Sequence, residues 1–160
     1  EILSTPDAIK DPASAAVVSR VSEAGAVLWR TQKDVPSRDV SLRLDRALIA
    51  GRGPSAESLT RIAELSEPAG DPAAAMEAWR ALATVVAEDT PLWHQAKYEF
   101  LRLLSVTDAK SASAAIAQYL ILYPNAPEPW QGKARELAGR LGVSAPAPSP
   151  AMPAPSGGPR

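Results

Sequence analysis

The chain reads as an all-α protein built from antiparallel helix-turn-helix units. Apolar residues recur at helical spacing in successive segments. Most of those segments open on Ser, Thr or Asp, often followed by proline at the first helical position, where its missing N–H costs nothing. The loops between segments are short, which makes successive helices antiparallel neighbours.

Taken in order, Asp11 and Pro12 open "ASAAVVSRVSEAGAVLWR", in which Val17, Val18, Val21, Gly25 and Leu28 fall on one helical face. Its β-branched content competes for a strand, and the period decides for helix. In "DVSLRLDRALIA", Val40, Leu42 and Leu44 alternate as a strand would, while Leu44 and Leu48 keep helical spacing; the reading is again helix. "GRGPS", 51–55, is a turn ending in Ser55 as N-cap, and it lacks the Lys-Ser/Thr of a phosphate-binding loop. Five further helices follow. Ser55 opens "AESLTRIAELSE", Asp71 and Pro72 open "AAAMEAWRALATVVAE", Thr90 and Pro91 open "LWHQAKYEFLRLL", Asp108 opens "AKSASAAIAQYLILY", and Pro127 opens "EPWQGKARELAGRL". From Val143 onward, "VSAPAPSPAMPAPSGGPR" has almost nothing to bury and reads as an extended spacer, with a PxxP spacing in "PAPSP".

Composition narrows the function classes. With 160 residues, 46% hydrophobic and 22% charged, the chain can bury one core of ordinary size. A net charge of -1 and the lack of any basic stripe argue against nucleic acid or an anionic membrane surface as partner. There is no cysteine and a single histidine, His94. Thiolate metal sites and paired-histidine zinc patterns are therefore excluded, and no cofactor is implied. No apolar run approaches the roughly 18 residues of a membrane span. The sequence starts at Glu1 with no signal-like segment, so it reads as a processed product or a piece of something longer. The Ala-rich composition and Pro/Ala tail point to a bacterial protein, cytoplasmic or at the cell envelope if the longer chain is exported.

Laying the segments over one another reveals a repeat. Trp93, Ala96, Lys97 and Phe100 align with Trp130, Lys133, Ala134 and Leu137, and in the preceding unit with Leu59, Ile62, Ala63 and Ser66. In the second helices, Ala75, Trp79 and Leu82 align with Ala112, Ile116 and Tyr119, and Pro124 closes the unit. Over 55–142 the pattern resembles the tetratricopeptide repeat, a helix-turn-helix unit of about 34 residues. Leu59 to Trp93 spans 34 residues and Trp93 to Trp130 spans 37, an insertion of three that falls in "SVTDAK". In "YPNAPEPW" Pro124 ends one helix, while Pro127 and Pro129 would sit in the first turn of the next. Lys97 and Lys133 depart from the family pattern, where a small or apolar residue is usual, as do Ala87 for a closing proline and Ser66 for a bulky residue. The expected organisation is an irregular N-terminal helical cap over 1–54, two repeats plus a capping helix over 55–142, and the tail over 143–160, that is, a short tetratricopeptide-like α-solenoid.

The resemblance implies a groove lined by the first helix of each unit, at Thr60 and Glu64, then His94, Tyr98 and Arg102, then Gln131 and Arg135. Family members that grip a terminal carboxylate use a Lys and Asn pair in the first unit, and Thr60 and Glu64 stand there instead. His94 has no oriented partner in the sequence and reads as a surface residue, not an acid/base group. Trp79, Trp93 and Trp130 occupy signature positions and read as core instead of a sugar platform. Glu57, Glu64, Glu67 and Asp71 lie at helix starts and exposed faces, without the dense oxygen spacing of a calcium loop. The expectation is a non-enzymatic module binding a protein or peptide partner. The alternative is a packing or oligomerisation domain whose helices bind no free ligand.

Overall fold

A computed structural model describes residues 9–143. Among the described residues there are seven helices and no strand: α1 Pro12–Gln32, α2 Val35–Arg52, α3 Ala56–Ser66, α4 Pro72–Val85, α5 Pro91–Thr107, α6 Ala109–Leu122 and α7 Trp130–Arg140. The Pro/Ala-rich stretch lies outside the described residues from 144 on, whereas Val143 packs on the core and donates its N–H to the Ala138 carbonyl at 2.9 Å.

The start signals act as physical caps. Asp11, Ser55, Asp71, Thr90 and Asp108 each accept a hydrogen bond from a backbone N–H three residues on, and so does Asp34, a cap that the sequence reading missed: α2 begins at Val35, ahead of the expected "DVSLRLDRALIA". The hydroxyls of Ser37 and Ser111, together with their backbone N–H groups, hold the Asp34 and Asp108 carboxyls below the usual carboxylate range, and the Ser14 N–H and hydroxyl do the same for Asp11. α7 is the exception. It starts at Trp130 and not at Pro127, with Pro129 as its N-cap and no side-chain cap. Pro129 bars the residue before it from helical angles, so the turn cannot propagate back through Glu128.

The α1–α2 hairpin is antiparallel. Trp29 lies under the Arg38 guanidinium, Ser22 bonds Ser41 and Asp45, and Arg52 donates to the Lys10 carbonyl at 3.2 Å. Gly25 permits the approach, because a Cβ there would stand 2.7 Å from the Ser37 carbonyl oxygen. The face of α1 that is buried differs from the expected one. Val18 and Gly25 point inward with Ala15, Ser22 and Ala26, but Val17, Val21 and Leu28 are exposed. Small residues let the backbones close, and a valine row would hold them apart. The strand-like alternation in α2 has a similar origin. Leu44 and Leu48 pack with Val18 of α1, and Leu42 packs with Leu59 and Ile62 of α3, so one helix serves two neighbours.

Each helix packs against the next in sequence, and α1 also meets α3 as α5 meets α7. The aligned positions Leu59, Ile62, Ala63, Ala75, Trp79, Leu82, Trp93, Ala96, Ala112, Ile116, Tyr119, Ala134 and Leu137 are all buried. Lys97 and Lys133 lay their ammonium groups over Trp93, at 5.0 Å, and Trp130, at 4.6 Å, which explains a lysine at a position flanking the core. No helix among the described residues is long and apolar enough to cross a membrane.

Candidate functional site

Helices α1, α3 and α5, with Glu67 just past the end of α3, carry a ladder of charged side chains. Arg30 bridges Glu64, at 2.8 Å, and Glu23, at 3.1 Å; Arg102 takes Glu67 in a two-pronged pair and Glu99 at 2.6 Å. The Arg102 hydrogen bonds draw the Glu67 carboxyl below its ordinary range and, with those to Glu99, raise the guanidinium above its own. Beside this ladder lies an open hollow of about 310 Å3, lined by Glu23, Arg30, Glu57, Thr60, Arg61 and Leu92 among others.

Of the residues expected in a groove, Thr60 lines this hollow, and Glu64 and Arg102 belong to the ladder. Gln131 turns its amide to the Pro124 carbonyl, and Arg135 is half-buried on α7. Two expectations need correction. Tyr98 is buried against Trp130 and Lys133, because α7 packs over α5 at that point. His94 is wholly buried instead of standing on the surface.

His94 has the oriented partners that its sequence context hides. Its Nδ1 lies 2.7 Å from the Tyr119 hydroxyl and its Nε2 lies 2.7 Å from Asp89 Oδ1. Asp89 takes a left-handed φ of 63°, which Asp tolerates, at the turn preceding α5. Trp93, Tyr119 and Tyr123 enclose the imidazole edge to face. A carboxylate–imidazole–phenol chain resembles an activation relay, but the electrostatics run the other way. Burial raises the Tyr119 phenol above its ordinary value, and the Asp89 charge adds to it. The neighbouring Tyr123 is pushed up to about 12, mainly by its hydrogen bond to Glu88. Both shifts favour the protonated phenols, and the His94–Tyr119 bond ties α5 to α6.

A second polar centre joins α1, α2 and α3. Asp45 is fully buried and receives Arg61 Nη2 at 2.6 Å, Arg61 Nε at 2.9 Å and the Ser22 hydroxyl at 2.7 Å. Arg61 also reaches Glu23 at 3.3 Å and Ser19 at 3.4 Å. Burial disfavours the charged guanidinium, yet the bonds to Asp45 and Glu23 outweigh it and raise the Arg61 pKa. The one trace of this centre in the sequence is that Ser41 and Asp45 stand four apart on the helix face that also carries Leu44 and Leu48. Among the described residues no group of three or more acidic or histidine side chains could hold a metal ion. Compared with protein-family models, with curated proteins and with solved structures, the chain matches none.

Proposed function

We propose that the chain is a non-enzymatic, tetratricopeptide-like interaction module whose partner, a peptide or a helix, lies across α3, α5 and α7, with α1 at one edge. The observation that carries this reading is a recurrence of cross-helix bonds at one unit length. Arg30 meets Glu64 34 residues on, Glu67 meets Arg102 35 residues on, and Glu88 meets Tyr123 35 residues on. That interval equals the repeat length of the family within one residue. It aligns equivalent faces of successive units and brings the Arg30–Glu64 pair beside the hollow at Thr60.

The contact residues in this reading are Thr60, Glu64, Arg102, Gln131 and Arg135, joined by Glu23, Arg30 and Glu57; His94 and Tyr98 support the face from beneath. Mixed charge around Leu92 favours a polar partner segment with one apolar anchor. The test is affinity capture with the full chain as bait, compared with a Glu57→Lys/Arg135→Glu double variant, both substitutions lying outside the core. A partner held by the wild type and lost by the variant supports the face. Equal retention by both sinks it.

One observation favours the packing alternative. Val17, Val21 and Leu28 form an exposed apolar row on α1 at spacings of four and seven. Light scattering across concentration decides: a mass that rises with concentration, and stops rising in Val21→Glu, would support self-association, while a constant monomer mass would remove it.

A further inference from the structure

We infer that the cleft between α5 and α6 is a docking site for this chain's own proline-rich segment, residues 144–160, bound in an extended, polyproline-like form. The cleft is a hollow of about 200 Å3 walled by Trp93, Phe100, Tyr119 and Tyr123, with Leu122, 58% exposed, at its rim. It is formed within a single helix pair, whereas the partner face runs from one pair to the next.

The wall matches the chemistry of proline. The rings of Trp93 and Tyr123 pack edge to face at 4.8 Å, and Tyr119 and Tyr123 lie 5.4 Å apart, so the aromatic surfaces are held at fixed angles by their own packing. Their phenol oxygens are already engaged, Tyr119 by His94 and Tyr123 by Glu88, which leaves the rings as apolar surface. The polar groups that remain are donors. Lys97, the only charged side chain in the wall, rests over the Trp93 ring at 5.0 Å and makes no ion pair among the described residues. The Gln118 amide and the Trp93 indole N–H make no hydrogen bond among them either. A proline-rich chain is the complement of such a wall. It presents pyrrolidine rings to aromatic faces, its carbonyls are not used in internal hydrogen bonds, and it has few N–H groups in need of an acceptor.

Residues 144–160 have that composition and begin in the right place. Six of these 17 residues are proline, and Arg160 is the only charged side chain among them. At three residues per turn, Ala147, Pro150 and Pro153 share one face. Val143, immediately before the segment, packs on the cluster that contains Trp93, Tyr119 and Tyr123. At about 3.1 Å per residue the segment reaches about 50 Å, twice the roughly 25 Å length of α5, so it can lie along the whole cleft. Because it starts on the same cluster, it meets the cleft at an effective concentration of about millimolar, and weak contacts are enough to seat it.

The chain has no cysteine, so a nitroxide can be attached at one chosen point. The experiment places it at Ser156→Cys in the 15N-labelled full chain and reads the broadening of amide signals. Broadening concentrated on 93–101, on 115–123 and on the Trp93 indole is expected. It should fall severalfold in Pro150→Ser/Met152→Ser/Pro153→Ser, which leaves every helix untouched, and in Leu122→Lys, where the replaced side chain is already exposed. Broadening spread evenly over the surface, centred on other residues, or unaltered in either variant would overturn the docking. A mixture of 15N-labelled chain lacking the nitroxide with unlabelled chain carrying it separates the sources. No broadening in the mixture places the contact within one chain; broadening at the cleft would assign it to a second copy and overturn the intramolecular site.

Discussion

The first hairpin and the last three helices hold together by opposite means. α1, α2 and α3 meet through a buried charge pair, serines and small residues, with Asp45, Arg61, Ser22, Ser41 and Gly25 at the contact. α5, α6 and α7 meet through aromatic bulk, with Trp93, Tyr98, Tyr119, Tyr123 and Trp130 packed ring against ring and a single histidine among them. The difference teaches what hydrophobic periodicity measures. It registers apolar volume, so it locates the second kind of contact and passes over the first.

The two regions should also break differently. Asp45→Ala leaves the Arg61 charge buried without its partner, and the expected loss is about 3–5 kcal/mol, read from urea unfolding. An Asp45→Leu/Arg61→Met double variant sharpens the point, because replacing both charges with apolar residues should recover most of that loss; no recovery would mean that the pair fixes the hairpin geometry itself. Gly25→Ala should cost about 1–3 kcal/mol, as the Ser37 carbonyl must move away. In the aromatic region, His94→Phe keeps the ring but strands the Tyr119 hydroxyl, for a loss of about 1–3 kcal/mol, with the Trp93 fluorescence environment retained. An unchanged midpoint in His94→Phe would show that ring packing alone joins α5 to α6.

The smallest effect is a pH dependence at the Glu67–Arg102 pair. The Glu67 pKa is lowered in the folded state, so its contribution is present above the unfolded carboxylate value and is lost as pH falls through the folded one. Stability measured from pH 6 down to pH 3 should fall less steeply in Glu67→Gln than in the wild type. Parallel curves would show that the exposed pair contributes nothing measurable.

By itself the sequence determined the number of helices, the capping residues of all but the second and the last, and most of the apolar positions that are buried. Each of those is a local matter, set by backbone capping and by a 3.6-residue period that one helix expresses without reference to its neighbours. Tertiary structure alone decided that Val21 faces outward while Ser22 is buried, that His94 has a carboxylate and a phenol as partners, and that Tyr98 lies beneath α7. It also decided that Arg61 would find Asp45. These depend on which donors and acceptors arrive from other helices. A buried polar group is stable only where such partners converge, and one-dimensional spacing carries no record of them.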